Sequence, residues 1–179
     1  MMCPENNGTV RHHRDDLTGE HKLGDAGQLI IAVLFLVVWI LDSFVLKYTT
    51  FLNSYIPLAV QVTLGVIMLL IAFYLARAGM NIVFSEVRET PGVIRKGVFG
   101  VVRHPIYLSE ILFYLGLLFF RTSLAAALVW IIAIVFLHFI SRFEEKLLLV
   151  RFGDEYKQYM KDIPMYFPKL IRWRAKPSD

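Results

Sequence analysis

The stretch Gln28–Leu46, QLIIAVLFLVVWILDSFVL, carries a single charge, Asp42, in nineteen residues. As a helix it would rise about 28 Å, which nearly matches a bilayer hydrocarbon core of about 30 Å. Three further apolar blocks follow: Ile56–Ala76, Ile106–Phe120 and Leu124–Ile140. They are continuous runs rather than the one-sided stripes of a soluble helix. With 56% hydrophobic residues and a mean hydropathy of +0.55, the chain lies outside the soluble range. The predicted fold is all-α: a polytopic membrane protein with about four transmembrane helices, five being the alternative count. The third block, fifteen residues long, is short for a full span. Arg121-Thr122-Ser123 joins it to the fourth as a tight antiparallel helical hairpin.

Charge distribution orients the spans. Lys and Arg number 3 before the first block, 1 in the 47–55 connection, 5 in the 77–105 connection, 1 in the 121–123 turn and 9 in the tail from 142. High and low counts alternate, as the positive-inside rule requires. The N-terminal arm, the long connection and the tail therefore share the cytoplasmic side, in a plasma or endoplasmic reticulum membrane depending on the source. Residues 1–25 are polar and lack apolar periodicity, which predicts a flexible arm. Residues 26–179 then form one membrane-embedded domain. The first block runs too long for a signal-peptide core. A lone Cys3 and a net charge of +4 point to no disulfide framework, no metal and no nucleic-acid partner.

The polar residues flanking the third block stand out against this background. Pro105 suits a first helical position, which makes His104 the N-cap. The unpaired N–H groups and positive dipole end there favour an anion. Tyr107, Glu110 and Tyr114 fall on one face at helical spacing, with Arg103 near its extension. Gly97 and Gly100 leave room for a ligand to approach the backbone. His138, Arg142 and Glu145 form a second polar stripe as the fourth block leaves the membrane. The hairpin brings both stripes to one cleft at the membrane–cytoplasm boundary. Taken singly, Arg103 and Arg142 also read as snorkelling anchors, and the tyrosines as part of an interfacial belt. Glu110 is different, because a carboxylate inside an apolar block needs a partner or water. Asp42 reads as interfacial on the opposite side. In the tail, Leu147, Val150 and Tyr156 keep helical apolar spacing.

Arg103-His104-Pro105-Ile106-Tyr107 resembles the R-H-P-x-Y motif of the isoprenylcysteine carboxyl methyltransferase and phospholipid methyltransferase superfamily. The tail resembles the second half of that signature. It reads Glu144-Glu145-Lys146-Leu147-Leu148, then Phe152-Gly153-Asp154-Glu155-Tyr156-Lys157-Gln158-Tyr159, then Ile163-Pro164 and Pro168. The likeness covers about residues 95–168 and departs at Ser109, where many members have Gly.

The resemblance implies an integral membrane methyltransferase using S-adenosyl-L-methionine, held by the part at about 95–168. The implied acceptor is lipidic or prenylated and enters from the bilayer among membrane lipids. No G-x-G-x-x-G motif opens a Rossmann unit, and the 77–104 connection is too short to build one. The expected cofactor-binding residues are His104, Pro105, Tyr107, Leu108, Glu144 and Glu145. The expected catalytic residues are Arg103, Arg142 and Glu110. Adjacent helical residues point about 100° apart, so Glu144 and Glu145 should not make equal contacts. The foremost reading is O-methylation of the C-terminal carboxylate of a prenylated cysteine, which needs no general base. Phospholipid ethanolamine N-methylation is the alternative and would need Glu110 or His138 as base. A membrane NADPH-dependent sterol or isoprenoid reductase is a more distant one.

Overall fold

A computed structural model describes residues 22–85 and 92–167. Most of the expected arm, and Pro168, lie outside the described residues. Four α-helices carry the fold: α1 (Lys22–Ile40), α2 (Leu58–Ser85), α3 (Pro105–Phe120) and α4 (Leu124–Asp162). A π-helical turn, Leu41–Leu46, extends α1 and ends at Lys47 in the left-handed region. Short 3-10 turns occupy Phe51–Ser54 and Gly97–Gly100. Among the described residues there is no strand, so the all-α expectation holds and a Rossmann unit is excluded.

Among the described residues three helical stretches are long and apolar enough to cross a membrane: Ala26–Leu46, Leu58–Phe84 and Leu124–Asp162. Large apolar side chains cover their outer faces, Ile30, Leu70, Phe73 and Phe139 among them. In water such a surface would be an aggregation site; in lipid it is the solvent-matched face. The 16-residue α3 rises only about 24 Å, short of the ~30 Å hydrocarbon core.

α2 packs on α3 and α1 on α4, while α3 also meets α4. Contact between α2 and α3 is close because Gly116 replaces a side chain at their crossing. A Cβ there would lie 2.8 Å from Leu69. The buried core joins α1, α3 and α4 through Ile31, Phe35, Tyr114, Leu118, Ala126, Val129 and Ala133. Phe35 stacks on Tyr114 with ring centroids 4.4 Å apart. The indole N–H of Trp130 donates to the Ile111 carbonyl at 3.0 Å.

At the end of the bundle away from the α3 start, Asp42 is buried among its own protein neighbours. Its carboxylate accepts from the Tyr48 and Thr49 N–H groups at 3.1 and 3.2 Å. It also accepts from the hydroxyls of Thr49 and, at 2.6 Å, Ser123. Ser123 in turn caps α4 by accepting from Ala126 N–H at 3.1 Å. Asp42 thus ties the end of α1 to the α3–α4 turn.

The tail does not break from the fourth apolar block: α4 runs on to Asp162. Its bend falls at Gly153, with φ 55° and ψ −127° inside the helix, a region open to glycine alone. The bend redirects the last turns, so the regular apolar spacing of the tail does not define one buried face. Tyr156 is buried, whereas Val150 is 88% exposed.

Candidate functional site

The start of α3 meets the middle of α4 in a cluster of ionisable side chains. Pro105 opens α3 as its first residue and His104 holds the N-cap position, its own side chain making no cap hydrogen bond. The chain beyond α4 straps this end down. The N–H groups of Arg103 and His104 donate to the carbonyls of Pro164 and Met165 at 2.9 and 3.3 Å. The Arg103 guanidinium donates to the Met160 carbonyl at 2.9 Å, and the Tyr159 hydroxyl to the Phe99 carbonyl at 2.7 Å. Arg95 reaches across to the Glu155 carbonyl at 2.9 Å and lies over the Tyr159 ring.

Inside this frame Glu145, 2% exposed, forms the negative centre. Arg103 Nε lies 3.0 Å from Glu145 Oε1, His104 Nε2 3.3 Å from the same oxygen, and Arg142 3.7 Å from Oε2. Arg103 Nε approaches at an angle outside that of a hydrogen bond, and Glu145 Oε2 accepts none. A buried carboxylate oxygen left with ion pairing alone is costly. Glu144 accepts from the Tyr107 hydroxyl and lies 3.7 Å from His104 Nδ1. The two neighbouring glutamates therefore make unequal contacts, one on each nitrogen of His104. The His104 and Tyr107 rings stack in parallel, 5.5 Å apart.

The Tyr166 ring lies 6.2 Å from His104 and 6.4 Å from His138. Its hydroxyl donates to the Leu137 carbonyl at 3.2 Å and meets Ser141 Oγ at 2.6 Å. Burial pushes that hydroxyl up to about 12, despite the opposing pull of the Ser141 contact, so it stays a neutral donor.

The expected site residues divide between two places. Arg103, His104, Tyr107, Arg142, Glu144 and Glu145 come together in the cluster. Pro105 is buried beneath it, and Leu108 continues the helix, its N–H donating to the His104 carbonyl at 3.0 Å. Glu110, expected on one face with Tyr107, leaves the cluster: it accepts from the Tyr114 hydroxyl and lines a separate groove. That groove, about 690 Å³, opens between α1, α2 and α3, with Ala32, Ala72 and Ala76 among its walls and Gln28, Ser109 and Glu110 as polar lining. His138 is exposed and stands at the cluster's edge.

Gly97 and Gly100 leave no space for a ligand. A Cβ on Gly100 would meet the Arg95 carbonyl at 2.9 Å, and one on Gly97 would meet Ile82 at 2.8 Å. The chain's own packing takes that room. Sequence reasoning missed Arg95, Ser141 and Tyr166. Ser141 had a readable signal, since it lies four residues before Glu145 on the same helical face. Tyr166 had none, because its position depends on the strap after α4. Among the described residues no group of three or more His, Cys, Asp or Glu could hold a metal ion.

The chain is 28% identical over 92 residues to the cobalt-zinc-cadmium resistance protein CzcN of Cupriavidus metallidurans. That match covers 51% of this chain and 42% of the relative, so the chain spans under half of that protein's length. No solved structure matches. The family described as phospholipid methyltransferase matches residues 54–155, which takes in α2, α3, the charged residues of the cluster and the α2 and α3 walls of the groove. The chain belongs to the phospholipid methyltransferase family.

Proposed function

We propose that this protein transfers a methyl group from S-adenosyl-L-methionine to a lipidic acceptor at the membrane. The observation that carries the reading is the meeting of both signature halves in one buried cluster, Arg103-His104-Tyr107 against Glu144-Glu145, next to a groove between three membrane helices. The donor set fits the cofactor. Glu145 Oε2 is a buried acceptor with no hydrogen bond, and Glu144 is a second carboxylate beside it; such groups suit ribose hydroxyls or an ammonium. The uncapped α3 start, with His104 and Arg103, suits a carboxylate. Pro105, Tyr107 and Leu108 form the adjoining wall. Bound there, the cofactor supplies an activated methyl group on a sulfonium. The chain's own contribution is positioning and the exclusion of water.

Two acceptor chemistries rest on two different residues. A prenylcysteine carboxylate is favoured by Arg142, whose side chain is 57% exposed at the cluster's rim and able to turn toward an incoming anion. An amine-bearing lipid is favoured by Glu110 in the groove, a carboxylate able to hold an ammonium and accept its proton. Both readings place the α3 start, and with it both termini, on the cytoplasmic side, following the charge counts of the connections.

The test is calorimetric binding of S-adenosylhomocysteine to the detergent-solubilised protein beside His104→Ala. The expected result is saturable binding by the wild type, weakened at least about tenfold in the variant, with both proteins unfolding cooperatively. A folded wild-type protein that ignores S-adenosylhomocysteine but binds NADPH overturns the reading.

A further inference from the structure

α4 carries one buried row and one exposed row along its length. Val129, Ala133, Leu137, Ser141 and Glu145, at every fourth position, are buried. On the opposite face Leu128, Ile132, Val135, Phe139, Phe143 and Val150 are exposed, at spacings that keep them in one row. From Leu124, also exposed, to Val150 that face rises about 39 Å. The hydrocarbon core is only about 30 Å thick, and the bilayer with its headgroup zones about 40–45 Å. The apolar face therefore runs past the depth of one span.

The row has a definite end. Val150 is the most exposed large apolar residue among those described, at 88%, and it lies three residues before the bend at Gly153. Beyond the bend the exposed residues of α4 are all polar: Asp154, Glu155, Lys157, Gln158, Lys161 and Asp162.

Charge along the last turns of the row has one sign. Lys146 is exposed within it, between Phe143 and Val150, and exposed Arg142 and Arg151 flank it. Glu144 and Glu145 turn away, to Tyr107 and His104. The same face of a second copy would bring only further cations to such a contact, and burying them without carboxylates is costly. A bilayer surface covers the apolar side chains and lets long basic ones reach lipid phosphates.

We infer that the outer face of α4 from Phe139 to Val150 is seated in the headgroup zone of an anionic bilayer, with Arg142, Lys146 and Arg151 toward the lipid phosphates. The bend at Gly153 carries the rest of α4 away from that surface. Val150 lies about 8 Å beyond Glu145 along the helix, so the cluster sits below the level at which α4 leaves lipid, with α4 itself between them. The seat belongs to the outside of α4 and holds whatever reaction the cluster performs.

The test places a nitrobenzoxadiazole label on single cysteines of the full chain in a Cys3→Ser background, in mixed phosphatidylcholine–phosphatidylglycerol nanodiscs. Quenching is read with phosphatidylcholine or phosphatidylglycerol carrying a nitroxide high on the acyl chain. A label on Val150→Cys should be quenched as strongly as one on Phe139→Cys, while one on Lys157→Cys, beyond the bend, should escape. Phe143→Cys replaces Val150→Cys should that variant not fold. At equal content the phosphatidylglycerol quencher should be favoured about two- to fivefold at Val150. Lys146→Gln combined with Arg151→Gln should remove that preference and leave quenching by phosphatidylcholine in place. A Val150 label quenched no more than the Lys157 label overturns the inference, as does self-quenching between labels, which would mean that a second copy covers the face. Equal quenching by the two lipids, or a preference that survives in the folded double variant, overturns the anionic seat.

Discussion

Glu145 and Asp42 are both nearly removed from water, yet they serve different ends of the molecule. Asp42 is satisfied by two backbone N–H groups and two hydroxyls, all drawn from structure it holds together. Glu145 has Arg103, His104 and Arg142 around it and an oxygen that accepts no hydrogen bond. The first arrangement is complete; the second has capacity left for a ligand. Asp42→Asn should therefore lower stability by about 1–3 kcal/mol, the cost of a buried group left mispaired. Thermal unfolding would register it, with S-adenosylhomocysteine affinity unchanged. Glu145→Gln removes the partner of buried Arg103 and should cost about 3 kcal/mol or more. Here cofactor-analogue binding should fall as well, and calorimetry at a temperature where the variant is folded distinguishes the two losses.

At the scale of elements, the bend in α4 governs how the site is enclosed. The first part of α4 presents Glu144 and Glu145, and the bend at Gly153 turns the last part so that Met160 and the strap through Met165 reach Arg103 and His104. An L residue at φ 55°, ψ −127° costs about 1–3 kcal/mol. No neighbour lies within 4 Å of a Cβ on Gly153, so the cost is conformational rather than steric. Gly153→Ala should loosen the strap more than the bundle. Hydrogen exchange should quicken at the amides of Arg103 and His104, which donate into it, while the core helices keep their protection.

For the whole molecule, the polar cluster and the Asp42 clamp lie at opposite ends of a four-helix bundle whose outer surface is apolar. The proposed orientation, with the cluster on the cytoplasmic side of the membrane, follows the positive-inside rule and can be tested directly. In a Cys3→Ser background, Lys161→Cys should be labelled by an impermeant maleimide only from the cytoplasmic face of sealed vesicles. Arg121→Cys, in the α3–α4 turn, should be labelled only from the other face. Labelling of both from one side would contradict the single crossing by α4 that separates them.

Sequence by itself determined the helices, the membrane setting and the charged residues around His104 and Glu145. Each follows from local quantities: the length and continuity of Gln28–Leu46 or Leu124–Ile140, the proline that opens α3, and the two signature halves around Arg103 and Glu145. Only the tertiary structure decided where each side chain went. Helical spacing put Tyr107 and Glu110 on one face, yet the crossing of α3 with α4 on one side and with α1 and α2 on the other sends Tyr107 to Glu144 and Glu110 to the groove. The glycines at 97 and 100 looked like room for a ligand until Ile82 and the Arg95 carbonyl were seen to fill it. The strap that meets Arg103 and His104 comes from about sixty residues away along the chain. Periodicity reports which residues share a face; contacts between distant segments depend on packing that no local pattern encodes.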